Sequence, residues 1–417
     1  MGRIPISRVV VINDSTIARG GATALAVLSA KLMRKRGIQV TYFTGDQGDL
    51  DGALGAAGIE VIALGHANLL KSNAAKALTN GLFNSKANIV LKKWIEQNDT
   101  ADTAYHLHGW QQILSPAVFL ALKVVSSRTL MHAHDYFLVC PNGGQMNYVT
   151  NTPCTLRPMS VSCISTSCDK RNFAHKIWRV GRHGIRNVIE NLSGAEIRIA
   201  LIKAEMNEAF IRYGIDKKNL ITIGNPSVPF SEKRVYAEKN KEFHFIGRLV
   251  NEKGIKEFLL AAKLAEVPVR VMGDGPLLEE LKATYPNVIF EGWCTRERLA
   301  YLVQGARMLV MPSIYPEPYG LVIPEAISSG IPVIVSLSAL LAPDVIRNDV
   351  GFSVDPLKID EFASLLQQCA ADDEIIQTMS KKGTQPDNGI SKDQDQWITD
   401  ILMAYSGLVG ITENAIS

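Results

Sequence analysis

Glu317 and Glu325 stand eight positions apart in the run EPYGLVIPE. Pro316 and Pro318 flank the first and hold it away from helix geometry. The second follows Pro324 in the first turns of an expected helix. Gly320, Leu321 and Val322 would open that helix, so their N–H groups can point at an anion. A carboxylate at position 325 can take both hydroxyls of a ribose, as acidic residues do in dinucleotide folds, and Glu317 would face the group across the phosphates. The spacing of eight is common by itself. Two further loops give it weight. GRLVNEKG sets Arg248 and Lys253 just before a helical pattern, and a guanidinium plus an ammonium at a helix N-terminus make a diphosphate site. GDGP sets Gly273 and Gly275 where the backbone can approach a ligand closely.

The first half of the chain offers a second set. Gly20 and Gly21 precede a long helical pattern, which again suits a phosphate. Neither this doublet nor GALGAAG at 52–58 is Gly-x-Gly-x-x-Gly, so a nicotinamide site is disfavoured. HLHGW carries His106 and His108 at the end of one strand-like run, and MHAHDY carries His132, His134 and Asp135 at the end of the next. His134 can contact a sugar hydroxyl while Asp135 orients it, and His108 and Asp135 would serve the acceptor side. A metal ion is the competing reading, disfavoured on the ground that alternate strand positions face opposite ways. Cys140, Cys154, Cys163 and Cys168 crowd into an aperiodic stretch, about 136–169, that is long enough to need a pin. A structural zinc, unlinked thiols, and disulfide or redox chemistry all remain open for them; the spacing is looser than paired Cys-x2-Cys.

These loops need a scaffold that brings strand ends together. Short β-branched runs alternate with helical patterns over nearly the whole chain, which argues for open, mostly parallel α/β sheets with helices on both faces. The 417 residues exceed one ordinary core, so two such units are expected, joined near residue 230 by the polar stretch 227–242. Ligands then bind beyond the carboxyl ends of the strands. Ser391 stands three before Gln394 in a capping-box pattern, and Trp397, Ile398, Ile401, Leu402 and Tyr405 form one apolar stripe of a terminal helix that must dock. The segment 170–187 interleaves six cations with Phe173, Ile177, Trp178 and Ile185. Such a helix either lies on anionic lipid or turns its apolar side to the core. The net charge of +3 gives no nucleic-acid signature. Without a bilayer-length apolar run or a cleavable leader pattern, a cytoplasmic location is expected, with peripheral contact at the inner face of the plasma membrane.

With these residues assembled, the chain resembles the retaining glycosyltransferase family 4, through FIGRLVNEKGI, VMGDGPLLEEL, PNVIFEGW and EPYGLVIPEAISSGIPVI, and more loosely through GGAT, HLHGW and HAHDY. The Cys-bearing insertion matches only some members. The resemblance implies a GT-B fold: two Rossmann-like doubly wound domains facing across a cleft, with a C-terminal helix crossing back to the first. The implied bounds are 1–228 plus the returning helix 391–417 for the acceptor-side domain, and 229–390 for the nucleotide-sugar domain. It implies a nucleoside-diphosphate sugar as donor, a glycan or lipid-linked acceptor in bacterial surface polysaccharide or lipopolysaccharide assembly, and no catalytic metal. Arg248 and Lys253 would hold the diphosphate, Glu325 the ribose, Glu317 the donor sugar, and the amides around Tyr319, Gly320 and Leu321 would complete the pocket. Gly21 would line the phosphate and His134 the sugar. An epimerase or hydrolase on the same fold, and a non-catalytic sugar-nucleotide binder, are the alternatives.

Overall fold

The computed structural model describes residues 6–17, 20–69, 74–190, 192 and 197–413. They form two units. The first is built from the chain up to Val149, Cys154–Gly224 and the chain from Gln394; the second from Thr150–Pro153 and Asn225–Asp393.

In the first unit the strands are β1 (Arg8–Asn13), β2 (Gln39–Thr44), β3 (Glu60–Ala63), β4 (Thr103–Leu107) and β5 (Thr129–Ala133). The two-residue strand β6 (Met146–Asn147) lies in the Cys-bearing stretch, as does β7 (Thr152–Pro153), which is grouped with the second unit, and β8 (Arg198–Leu201) and β9 (Leu220–Thr222) complete the first. The sheet runs β3-β2-β1-β4-β5-β8-β9, and its neighbours pair in parallel. Its helices are α1 (Gly21–Lys35), α2 (Ala74–Leu82), α3 (Ser85–Asn98), α4 (Ala117–Leu122), α5 (Val161–Ser165), α6 (Phe173–Ile189) and α7 (Asn207–Tyr213). Strands β4 and β5 are buried along their whole length, which is why they read as continuous rather than alternating runs.

The second unit repeats the plan with β10 (Glu242–Ile246), β11 (Val269–Met272), β12 (Ile289–Gly292), β13 (Ala306–Met311), β14 (Val333–Ser336) and β15 (Gly351–Val354). Helices α8 (Ile255–Leu264), α9 (Leu278–Thr284), α10 (Arg296–Leu302), α11 (Val322–Ser328), α12 (Ala342–Arg347), α13 (Ile359–Ala371) and α14 (Asp373–Gly383) belong to it. The order β12-β11-β10-β13-β14-β15 is parallel throughout. Both sheets are therefore doubly wound. The order in which strands are added reverses between β1 and β4 in one, and between β10 and β13 in the other, and such a switch point opens a crevice at the strand ends. The stretch 227–242, expected as a polar linker, is instead part of the second unit. Val235 and Ala237 are buried in it, and the Arg234 guanidinium bonds Glu238 and Ser380.

The terminal helix α15 (Gln394–Glu413) belongs to the first unit and packs on α1 and β5. The expected stripe is its buried face: Trp397, Ile398, Ile401, Leu402 and Tyr405 are enclosed. Arg36 fixes its start by donating to the Asp395 carbonyl at 2.9 Å and the Thr399 hydroxyl at 2.9 Å. The capping box does not form. The helix begins at Gln394, so Ser391 lies outside its first turn, and the Ser391 hydroxyl pairs with Ser328 and Asn388 instead. The last four residues of the expected helix, 414–417, lie outside the described residues. Truncating Ile401 to Ala should cost about 2–5 kcal/mol, because the site cannot collapse around the lost methyls; urea unfolding followed by circular dichroism measures it, and a loss under about 0.5 kcal/mol would mean the helix does not carry this core.

Candidate active site

The switch point of the second sheet gathers the strongest chemistry. The loops leaving β10 and β13 bring Lys253 and Glu317 into an ion pair. Lys253 Nζ also donates to the Tyr315 hydroxyl at 3.2 Å and stands 5.1 Å over its ring. The Ser313 hydroxyl donates to Glu317 Oε2 at 3.1 Å. Glu317 is 7% exposed, so burial alone would push its carboxyl up. The charge and hydrogen bond of Lys253, with the Tyr315 and Ser313 hydroxyls, outweigh this and hold it below the ordinary carboxylate range. Two backbone bonds fix the loops: Ile314 N–H to the Glu252 carbonyl at 3.0 Å, and Leu340 N–H to the Glu317 carbonyl at 3.0 Å.

The other candidates of this unit line the same strand ends without touching the pair. Arg248 is exposed and, among the described residues, has no side-chain hydrogen bond or ion pair. Gly273 joins the β10 and β11 loops; a Cβ there would lie 1.8 Å from the Gly247 carbonyl oxygen, so no side chain fits. Tyr319 is buried and donates its hydroxyl to the Asn225 carbonyl at 2.9 Å, so its side chain pins the loop. Gly320 has φ +65°, and a Cβ on it would press on Met311 Sδ at 2.5 Å. Leu321 is the residue from which α11 starts. Glu325 is paired with Arg296 at 2.7 Å. Burial raises its carboxyl, and Arg296 only partly offsets this. The sequence reading missed Arg296. It sits in an ordinary helix start capped by the Thr295 hydroxyl, and nothing in its spacing marks it.

In the first unit, Gly20 is the extended N-cap of α1, Gly21 is its first residue, and a Cβ on Gly20 would meet nothing within 4 Å. Asp14, just past β1, accepts from the amides of Gln112, Ile113 and Leu114 at 2.7–2.8 Å and so ties the β1 loop to the loop beyond β4. His106, His108, His132 and His134 share one face. The reasoning that set them on opposite faces fails because residues two apart on a strand point the same way. The nitrogens of His106, His108 and His132 lie within 4.8 Å of one another, but they face each other in hydrogen bonds of 3.2 Å rather than one common point. His134 joins through a 2.9 Å bond to His108. Asp135 does not bond His134: its Oδ1 accepts from Phe137 N–H at 2.8 Å, and burial raises its carboxyl to about 6.

The Cys-bearing stretch is pinned by cations. Helix α6 turns Lys176, Arg182 and Arg186 inward and leaves Phe173, Ile177 and Val188 exposed, the reverse of a helix with an apolar core side. Arg182 donates to the Gln111 carbonyl at 2.7 Å, Arg186 to the Leu138 carbonyl at 2.6 Å, and Arg179 to the Asn142 carbonyl at 3.1 Å. Lys176 Nζ lies 3.1 Å from Cys168 Sγ and 3.7 Å from Cys163 Sγ. Cys140 is buried nearby, Cys154 is half-buried, and all four thiols are free. Among the described residues these cysteines do not form a set at mutual ligand spacing.

Replacing Lys253 by Met should cost about 3–5 kcal/mol near pH 7, since it strands a buried carboxylate. The sign follows from the lowered carboxyl. In the parent, the stabilisation is present above the ordinary value of 4.5 and fades as pH falls through the lower folded value. In the variant only the Tyr315 and Ser313 hydroxyls oppose burial, the carboxyl rises, and the penalty shrinks as it protonates. Denaturant unfolding near pH 7 and about pH 5 reads the difference; an equal loss at both would show that Glu317 is not the stranded charge.

Residues 229–385 match the family described as Glycosyl transferases group 1. The glycosyltransferase YqgM of Bacillus subtilis (strain 168), itself uncharacterized, is 28% identical over 228 residues, which are 50% of this chain and 62% of that protein. The chain thus covers less than two thirds of that curated relative's length. Among solved structures, Anabaena Alr3699/HepE in complex with UDP and glucose superposes with a TM-score of 0.67 at 16% identity, over 96% of this chain and 99% of that one. WaaG, a glycosyltransferase involved in lipopolysaccharide biosynthesis, does so at 0.65 and 14% identity, over 96% and 100%. At such identities the likeness establishes the fold. Residues 229–385 are thus similar to the glycosyl transferases group 1 family, and the chain has a GT-B fold.

Proposed function

We propose that the protein is a retaining glycosyltransferase that moves a sugar from a nucleoside diphosphate to a lipid-linked glycan in bacterial surface polysaccharide assembly. The observation that carries this reading is the buried Lys253–Glu317 pair at the switch point of the second sheet, with Arg248 and Glu325 on the same strand ends. Arg248 and Lys253 supply positive charge where a departing diphosphate gains negative charge. Glu317, kept ionised, faces the sugar as its anomeric centre takes on oxocarbenium character. Glu325 takes the ribose hydroxyls in exchange for Arg296. The same-face course, in which the leaving phosphate receives the acceptor's proton, asks for no protein base and no metal. The relatives support the donor class: one solved neighbour is a complex with UDP and glucose, and another acts in lipopolysaccharide biosynthesis.

The activity test is transfer from a panel of UDP-, GDP-, ADP- and dTDP-sugars. Glu317→Gln should lower turnover by about 10²–10³-fold with donor affinity kept within a few-fold, because an isosteric amide removes charge rather than contact. Unchanged turnover removes Glu317 from the site. Donor binding without turnover in the parent protein, with every acceptor offered, favours the non-catalytic alternative, and release of free sugar favours a hydrolase. Among the described residues no helix is long and apolar enough to cross a membrane. Attachment at a membrane surface is proposed through Phe173 and Ile177, each 43% exposed on α6 beside the exposed Lys170 and Arg171. Sedimentation with phosphatidylglycerol vesicles should fall at least about threefold in Phe173→Ser/Ile177→Ser; equal binding by parent and variant excludes this face.

A further inference from the structure

A cavity of about 410 Å³ opens in the first unit between the loop that precedes α5 and the carboxyl ends of α6 and α7. Its size falls in the range of roughly 300–1,000 Å³ usual for small-molecule sites. None of its described lining residues belongs to the strand ends that carry the histidines. Glu190, the C-cap of α6, lines it and is 7% exposed. Among the described residues its carboxylate has no hydrogen-bond or ion-pair partner. Burial raises that carboxyl, and the charges of Lys123 and Arg186 only partly offset this. An enclosed acceptor left in this way is one that a ligand's protons can satisfy.

The other walls supply protons. An arginine has only donors, so the Tyr213 hydroxyl accepts from Arg186 Nη2 at 3.1 Å. Tyr213 then gives its own proton to Asn187 Oδ1, 2.5 Å away. This relay fixes the Asn187 amide: its oxygen is taken, and its Nδ2–H groups are left for the cavity. On the loop side Arg157 is exposed, and among the described residues its guanidinium has no partner. Ser160 accepts from Cys163 N–H at 3.2 Å as the cap of α5, which leaves its hydroxyl proton to donate. The loop is held in shape by a 3.2 Å bond from Ser160 N–H to the Arg157 carbonyl, with Met159 at φ +62° between them. Pro158 and Leu192, both buried, add apolar surface.

The two sets of groups ask for different things. A guanidinium, an amide and a hydroxyl ask for the oxygens of an anion, which a guanidinium can take in pairs. The carboxylate asks for protons. Lys123 and Arg186 already place positive charge near it and so oppose an ammonium, whereas neutral hydroxyls meet no such opposition. We propose that this cavity binds an acidic saccharide, with ring hydroxyls donating to Glu190 and a carboxylate or phosphate group accepting from Arg157, Asn187 and Ser160. The C–H surface of the ring suits Pro158 and Leu192. This goes beyond the functional reading above, since binding here requires no transfer.

Ligand-observed NMR titrations of the whole protein with glucuronate, glucose 6-phosphate and glucose test it, with inorganic phosphate and β-alanine as competitors. At least one of the two acidic sugars should bind about tenfold or more tighter than glucose, and the tighter one identifies the anionic group. Arg157→Ala should remove that advantage and leave the weaker binding of glucose unchanged. Glu190→Gln should weaken all three sugars by at least about threefold. Arg157 lies on an exposed loop, so its variant tests the site even if Glu190→Gln does not fold. The proposal is overturned by absence of binding at about 10 mM of every sugar, by glucose binding as tightly as the acids, or by a preference that Arg157→Ala leaves in place. Inorganic phosphate that binds as tightly as the acidic sugars reveals an anion site alone, and β-alanine that binds more tightly than they do reveals a zwitterion site; either result also overturns it. A parent protein that binds the acidic sugar and transfers nothing upholds the cavity and removes only the functional reading.

Discussion

A carboxylate enclosed as Glu317 is cannot stay ionised unaided. Taking such a group out of water costs several kcal/mol even after the protein relaxes, and here Lys253 repays it from the neighbouring strand end. The pair exists because of strand order. β10 and β13 are adjacent in the sheet though more than fifty residues apart in the chain, and the loops leaving them turn away on opposite faces. The constraint runs both ways. The glycine turns and backbone bridges around these loops hold the two charges together without a ligand. A diphosphate would thus meet an ammonium already in place, with little ordering cost on the protein side.

The first unit meets a similar constraint by other means. Its irregular stretch after β5 has little repetitive hydrogen bonding of its own, and the cations of α6 supply what is missing by donating into its carbonyls. Arginine suits this task because one planar group satisfies several acceptors. The cost is a buried charge. Burial pushes the Arg182 guanidinium down to about 10, even though Asp14 pulls the other way. In the same sheet four imidazoles bond one another in a row whose two end nitrogens stay without partners, and a phenol of the terminal helix bonds His106.

Much of this was legible in the chain. The βαβ rhythm shows in runs such as RVVVI and MLVMPS, because parallel strands buried on both faces must be uniformly apolar. The stripe on α15 showed for the same reason at helical period. The loops carrying Lys253 and Glu317 could be marked because both follow strand-like runs and hold charged residues beside glycine or proline, and the structure pairs those two charges. Pairings set by tertiary packing were not legible. Nothing local says that Arg296 would take Glu325, or that Lys176 and Arg186 would point inward, since a cation on an amphipathic helix is ordinarily solvated. Ser391 had the right spacing for a cap and lost it to a helix that starts later. The histidines were misplaced through an error of strand geometry; their real arrangement follows from the period of two.

The most direct test is a crystal structure of the protein with a nucleoside diphosphate bound. The account predicts the two phosphates within hydrogen-bond reach of Lys253 and Arg248, and the ribose hydroxyls on Glu325 with Arg296 displaced. Phosphates bound away from the β10 and β13 strand ends, with Lys253 and Glu317 still paired only to each other, would contradict it.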